Sequence, residues 1–487
     1  MSAAGPSAAP RQEATTFWAG ARVAEALRER GRSFPHTDLV FTGIATDTRA
    51  IPPGSLFVAL KGERFDAHEF LADAVAKGAA GLVVSRADIA TPPGVPVFVV
   101  DDTLQALGDL ARFRRRAWGG RVIGVLGANG KTSTKELLRA ALGEKLQVHA
   151  TEGNFNNLVG VPLTLFALPD RADVAVIEMG TNTPGEIARL RAIVEPDISV
   201  ITSIAEEHLE GFGDIAGVLE EELAGVVGVK TAVVPASQPE VGEGARDKAA
   251  HVVSAGIEEG DLHATRWGVE PDGLGWLEVE GVEVRPPARG VHNLRNAMLA
   301  LAVARELAIP MADAARGIAG MRVPPMRVNW EQLGAATLIN DAYNANPGSV
   351  RAALELLAQA GKGRQRVAVL GSMLELGTHA DRLHREVAET ALQHGIEIVA
   401  GVGDMARALE KIGPADGRTI TAPDVEALWA ALAPRLSPDA VILLKGSRGA
   451  RLERLVAPIT AWAAAGGAGD ATGAGPSLSS PAAPSSH

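Results

Sequence analysis

Residues Gly124-Val125-Leu126-Gly127-Ala128-Asn129-Gly130-Lys131-Thr132-Ser133 follow an apolar run and lead into Lys135-Glu136-Leu137-Leu138-Arg139-Ala140-Ala141-Leu142, which has helical spacing. Strand, glycine turn and helix in that order commit this part of the chain to an α/β arrangement. Such a turn lets backbone N–H groups close around phosphate oxygens, while the helix N-terminus adds partial positive charge. Lys131 would bring a point charge to the outer phosphates, and Thr132 a hydroxyl for Mg²⁺. The usual spacing, a glycine and four residues before Gly-Lys-Thr, is not met: Val125 stands where that glycine belongs, and the glycines fall at 124, 127 and 130. The competing reading is a plain strand-to-helix turn with a chance Lys-Thr, and the flanking pattern favours nucleotide binding.

At 487 residues the chain is long for one core, which predicts two or three domains. A formal charge of −11 does not suggest a duplex-binding surface, though it leaves room for a local basic groove, and no nucleic-acid partner is expected. With no cysteine, disulfides and thiolate chemistry are excluded. Residues 1–16 are small and polar, and no apolar run is long enough to cross a bilayer. A cytoplasmic monomer without stable membrane association is the expectation.

Residues 17–32 read as an amphipathic helix, with Val23, Ala24 and Leu27 on one face. Thr46-Asp47-Thr48-Arg49 and the segment through Lys61 alternate short strands with turns; Arg49 and Lys61 read either as solvated charges or as anion ligands. A helix at 71–77 and a strand at 81–84 follow. From Gly119, strands at 121–126, 174–179, 198–204 and 231–235 predict a mostly parallel sheet with ligand sites at the carboxyl ends of its strands. Glu178 closes one of these strands, where a nucleotide-binding fold places a carboxylate for Mg²⁺, and His208 follows another. Asn154, Asn156 and Asn157 read as turn formers or as a polar clamp. Glu220, Glu221 and Glu222 read as a solvated helix face unless chemistry claims them. A helix at 291–307 opens with His292, Asn293 and Asn296, and Arg322-Val323-Pro324-Pro325 reads as a hinge. Strands at 337–339, 366–370, 396–402 and 440–444 with helices at 350–360, 381–393, 405–411 and 425–432 predict a second doubly wound sheet. Its first strand leads into Asp341-Ala342-Tyr343-Asn344-Ala345-Asn346-Pro347. Residues 464–487, rich in Ala, Gly, Ser and Pro, predict a disordered tail.

Taken together, these motifs resemble the Mur ligases, over nearly the whole of residues 17–463. The resemblance rests on Gly127-Ala128-Asn129-Gly130-Lys131-Thr132, Gly153-Asn154-Phe155-Asn156-Asn157, Glu178-Met179-Gly180, His208-Leu209-Glu210-Gly211-Phe212 and the Asp341 to Pro347 run. It implies an α/β protein of three domains: a UDP-precursor-binding domain (1–118), a central P-loop parallel-sheet ATPase domain (119–322) and a Rossmann-like ligase domain (323–463). The Glu178, His208 and Tyr-Asn-Ala-Asn-Pro runs resemble the last ligation step, with ATP, Mg²⁺, UDP-N-acetylmuramoyl-tripeptide and D-alanyl-D-alanine as ligands. The chain has no Asp-Asn-Pro-Arg, the tetrapeptide of the preceding step.

The resemblance implies that Gly127, Ala128, Asn129, Gly130, Lys131, Thr132 and Ser133 hold ATP phosphates, with Thr132, Glu178 and His208 as metal ligands. It implies His292 and Asn296 at the adenine, Arg327 at the phosphates and Asp341 at the ribose. Thr48, Arg49, Lys61, Asn154, Asn157, Tyr343, Asn344 and Asn346 would contact the substrates. Four positions depart from the family's usual pattern: Leu126 for threonine, Ala67 for glycine, Ser372 for aspartate, and Glu222 where many members carry a lysine carbamate. A glutamate there could supply a permanent anion in place of the carbamate, with Glu220 or Glu221 as counterpart if the register shifts. The alternatives are the preceding ligation step, a folylpolyglutamate-type synthase and a nucleotide-dependent regulatory ATPase.

Overall fold

A computed structural model of the chain describes residues 17–28, 38–62, 65–86, 90–413 and 417–467. The expectations for residues 1–16, for the end of the first helix and for the tail from 468 onward lie outside the described residues.

The central unit is built on a seven-stranded parallel sheet. Its order is Leu262–His263, His251–Gly256, Thr231–Pro235, Ile198–Ile201, Arg121–Leu126, Val174–Glu178 and Val148–Ala150. The inner strands Val174–Glu178, Ile198–Ile201 and Thr231–Pro235 are buried at every position, as a sheet covered by helices on both faces requires. Sequence order reverses around Arg121–Leu126, so the crevice at the carboxyl ends of this strand and its neighbours is the place where such a fold binds ligand. The helix that follows, Lys131–Gly143, packs against Val291–Glu306 and Met311–Ala319.

Before the central unit, a four-stranded parallel sheet runs Ile44–Ala45, Leu56–Val58, Gly81–Val84, Val97–Val99. Its closing helix, Thr103–Trp118, is bolted to the central unit. Arg114 donates to the Leu168 carbonyl at 2.6 Å and pairs with Asp170, and Arg115 donates to Val194 O, Glu195 O and Asp197. Gly119, at φ +72°, ends that helix in the left-handed region open to glycine.

The third sheet runs Asn329–Leu333, Ala336–Asp341, Val441–Lys445, Arg366–Leu370, Ile398–Val402, Thr419–Ala422, with only its first strand antiparallel. In the connection before it, Met326 and Val328 hold φ near +56° and +54°, a costly conformation for a β-branched residue. Thus Arg327 is presented between two left-handed residues.

Several expectations need correction. The first helix is Gly20–Arg28, because Trp18 and Ala19 pair as a strand with Val40–Phe41. The strand begun at Ile198 stops at Ile201, where Thr202 turns in against the glycine loop. Strands His251–Gly256 and Asn329–Leu333, and a three-stranded antiparallel sheet of Arg266–Val269, Gly275–Val279 and Val282–Val284, were not anticipated. In these, polar residues interrupt the apolar pattern, which tertiary pairing overrides.

Gly317 lies so close to the glycine-loop helix that an added Cβ would sit 2.0 Å from Ala140 O, whereas at Gly143 it would meet nothing within 4 Å. Gly317→Ala should therefore cost about 1–3 kcal/mol, while Gly143→Ala should be neutral or slightly stabilising. Urea midpoints of the two variants check this.

Candidate active site

The loop between Leu126 and Lys131 is shaped by two glycines in the left-handed region. At Gly127 (φ +115°) a Cβ would lie 2.5 Å from Thr202 Oγ1, and at Gly130 (φ +86°) 2.6 Å from Asn296 Oδ1. The loop is lashed to the neighbouring strand end, with Ala128 N donating to Ser203 O at 2.7 Å and Asn129 N to Ser203 Oγ at 3.1 Å. Helix Lys131–Gly143 begins with no side-chain cap. Its first N–H groups and dipole are therefore available to an anion. Lys131 Nζ folds back on the Gly127 carbonyl and on Ala128 O at 3.1 Å, and stands 3.7 Å from Glu207.

This loop forms one wall of an open cavity of about 810 Å³. Glu178 Oε1 accepts from Thr132 Oγ1 at 3.2 Å and from Asn156 Nδ2 at 2.9 Å, while Oε2 is buried without a partner. Among the described residues, no three His, Asp or Glu side chains converge tightly enough to hold a metal unaided. Asn154 and Asn157 also line the cavity, but Asn157 spends its Oδ1 on the N–H groups of Val159 and Gly160. Of the three asparagines, Asn156 is the one fixed to the carboxylate.

The acidic run divides three ways. Glu220 is exposed. Glu221 accepts from Gly185 N and Ile187 N, capping the helix Glu186–Val194. Glu222 is 1% exposed and accepts from Gly127 N at 2.8 Å. The solvated-face reading is thus excluded for Glu221 and Glu222. Burial pushes the Glu222 carboxyl up to about 8. Such a shift favours its protonated form near neutral pH, and a cation beside it would favour the anion. Beside it, burial also raises Glu207, against the pull of Lys131.

On the far side of the loop, His292, Asn296 and Trp267 line the cavity. Burial pushes His292 down to about 4, so its ring is neutral, and Asn293 rather than solvent meets its Nε2 at 3.1 Å. Asn296 lies directly beneath Gly130.

The third unit supplies the opposite wall. The Arg327 guanidinium stands 4.4 Å from the Tyr343 ring centroid, and Asp341 pairs with buried Lys445 at 2.7 Å. Lys445 also donates to Asn344 O. Asn346, expected at the substrate, is instead 5% exposed and fully engaged. It caps helix Pro347–Ala360 and exchanges two amide hydrogen bonds, 2.8 and 3.1 Å, with Asn129. A reading of turn chemistry alone anticipates the cap but not the partner. His208, at φ +49°, lines the cavity with its Nδ1 on Glu375 of the third unit.

Thr48, Arg49 and Lys61 lie on the first unit, outside this cavity. Arg49 is folded onto Asp47, holding that carboxyl down at about 2, and Lys61 is 4.0 Å from Asp66. Of the departures, Leu126 packs in the core against Gly225, Ala67 takes an ordinary φ, and Ser372 Oγ accepts from Asp404 N at the start of a helix. Glu207, Glu375 and Lys445 were missed as site residues, and Asn156 was read only as a turn former or part of a polar clamp. Of the three, only Glu207 carried a signal, as the neighbour of His208.

Family descriptions match almost the whole of this architecture: "Mur ligase family, catalytic domain" over residues 40–115, "Mur ligase middle domain" over 125–304 and "Mur ligase, glutamate ligase domain" over 326–448. The chain belongs to the Mur ligase family. Within it, the chain is similar to the UDP-N-acetylmuramoyl-tripeptide--D-alanyl-D-alanine ligase of Bacillus subtilis (strain 168), at 34% identity over 89% of this chain and 96% of that protein. Among solved structures, MurF from Acinetobacter baumannii matches with a TM-score of 0.82 at 30% identity, covering 91% of this chain and 99% of that one. MurF ligase from Thermotoga maritima in complex with ADP matches at 0.78 and 27%, covering 87% and 98%.

Because burial raises Glu222 from the ordinary 4.5, the folded chain keeps a proton that the unfolded chain releases between pH 4.5 and 8. That contribution to stability is full below the lower value and is lost as pH rises through the window. Glu222→Gln keeps an acceptor for Gly127 N–H without the titration. The variant should gain on the wild type by up to about 1.4 kcal/mol per pH unit across this window, as thermal midpoints at successive pH values measure.

Proposed function

We propose that this chain is an ATP-dependent ligase joining D-alanyl-D-alanine to UDP-N-acetylmuramoyl-tripeptide, giving the UDP-linked pentapeptide, ADP and phosphate. The observation that carries the reading is an uncapped helix start with Lys131 and a carboxylate oxygen of Glu178 left without a partner, at a cavity whose opposite wall is the third unit. The relatives named above supply the choice of substrates. No helix among the described residues is long and apolar enough to cross a membrane, and the reaction is assigned to the cytoplasm.

A carboxylate is a poor acyl donor. The γ-phosphoryl group of ATP passes first to the tripeptide carboxylate, releasing ADP; the dipeptide amine then attacks the acyl carbon and expels phosphate with loss of a proton. Both steps gather anions, so catalysis lies in positioning and charge compensation. The N–H groups of residues 130–133 cradle the phosphates, and Lys131, released from the Gly127 and Ala128 carbonyls, meets the outer ones. Arg327 approaches them from the third unit. Neutral His292 with Asn296 borders the base, and Asp341, oriented by Lys445, the ribose. Asn154 and Asn157 face the precursor, Tyr343 and Asn344 line the wall near the acceptor, and Thr48, Arg49 and Lys61 take the UDP end.

Mg²⁺ fits Thr132 Oγ1 and the unpartnered Glu178 Oε2, with His208 on the cavity wall. These residues do not form a closed cluster, so an ion held by them would also draw on phosphate oxygens and water. When bound, it would neutralise charge on the β- and γ-phosphates. Glu222 serves beneath the loop, holding Gly127 N–H.

Phosphate release should be low with UDP-N-acetylmuramoyl-tripeptide or D-alanyl-D-alanine alone and strongly synergistic with both. A free amino acid replacing the dipeptide as acceptor would move the assignment to the preceding step. Lys131→Ala should lower turnover on the order of 10²-fold or more; product formation at the wild-type rate would remove the assignment.

A further inference from the structure

The loop after Leu370 in the third unit lies directly on the short segment that carries His208. Glu210 N donates to Glu375 O at 3.1 Å, and His379 Nε2 meets Gly213 O at 3.0 Å. Gly377 is packed so tightly that a Cβ there would lie 3.1 Å from Glu210 Cα. At the centre of this contact the Glu375 carboxylate meets His208 Nδ1. Both residues hold the backbone in the left-handed region, φ +61° at Glu375 and +49° at His208. Histidine is among the residues found there more often, but glutamate is not, so Glu375 is held in the contact at a conformational cost.

An ionised carboxylate can only accept. Nδ1 must therefore donate, and in the neutral ring this fixes the tautomer and leaves the lone pair on Nε2. That nitrogen lies on the cavity side, 4.0 Å from Glu207, while the ring sits edge-on to Phe212. A histidine that gives its other N–H to a carboxylate is oriented and made more basic as a cation ligand.

We propose that Glu375 is a positioning residue through which docking of the third unit on the central unit sets the His208 ring for its role toward the cation that accompanies the nucleotide. This rests on the ligase reading and on His208 facing that cation. The carboxylate reaches His208 only when the two units are in contact, so His208 is oriented in the arrangement that also brings Arg327 and Asp341 to the cavity.

Glutamine at 375 can accept from Nδ1 or donate to it, so the tautomer is no longer imposed, while the main-chain bond to Glu210 is retained. Glycine relieves the positive φ at no steric cost, so backbone strain at 375 is not the source of a defect in that variant. Mn²⁺ binding in the presence of saturating ADP, followed by electron paramagnetic resonance, should weaken about ten-fold in both Glu375→Gln and Glu375→Gly. His208→Ala should weaken it at least as much. Wild-type Mn²⁺ affinity in the two Glu375 variants, with a loss in His208→Ala, would overturn the positioning role and leave the ligase reading intact. Wild-type affinity in His208→Ala would overturn both the positioning role and the cation role of His208, with the synergistic phosphate release still deciding the ligase reading separately.

Discussion

The hydrogen bonds that anchor the glycine loop govern the rest of the site. Gly127 N–H is held from below by Glu222, and Ala128 and Asn129 are held from the side by Ser203. The approach on the Ser203 side is closed to a residue with a Cβ at 127, which would lie 2.9 Å from Ser203 O. With the loop fixed, the start of the Lys131 helix, the Glu178 strand end and the turn at Thr202 fall at one end of one sheet. A parallel sheet delivers its strand ends together, and the loop turns that alignment into a cradle.

The two outer units are attached in different ways. The first is joined by buried arginines, Arg114 and Arg115, reaching carbonyls and carboxylates of the central unit. The third is joined by polar contacts near the cavity, among them Asn129 with Asn346, Arg351 with Glu206, and Glu375 with His208. Buried ionic anchoring suits a fixed relation; small polar contacts around a ligand suit a joint that opens and closes.

Four strands of the central sheet were legible because they are largely apolar runs, and Arg121–Leu126 and Thr231–Pro235 fall where the pattern predicts, whereas Val148–Ala150, His251–Gly256 and Leu262–His263 were not. The second doubly wound sheet was legible for the same reason. The strand Asn329–Leu333 was not, since Asn-Trp-Glu-Gln-Leu has no clear alternation and is held by its pairing with Ala336–Asp341. Within the site, motif residues near the loop were readable. Lys445 and Glu375 were not, because each acts on a partner more than a hundred residues distant, Asp341 and His208 respectively. The three adjacent glutamates are instructive: identical in chemistry and consecutive in the chain, they end in solvent, at a helix cap and under the glycine loop, a division set by helix rotation and neighbours.

The reciprocal amide pair between Asn129 and Asn346 makes the loop that cradles the phosphates also a face of the joint between two units. A compound wedged into that seam would need no resemblance to a nucleoside triphosphate. It would hold the two units apart by taking the hydrogen bonds that Asn129 and Asn346 make to each other, and its selectivity would come from those two carboxamides rather than from contacts to the nucleotide.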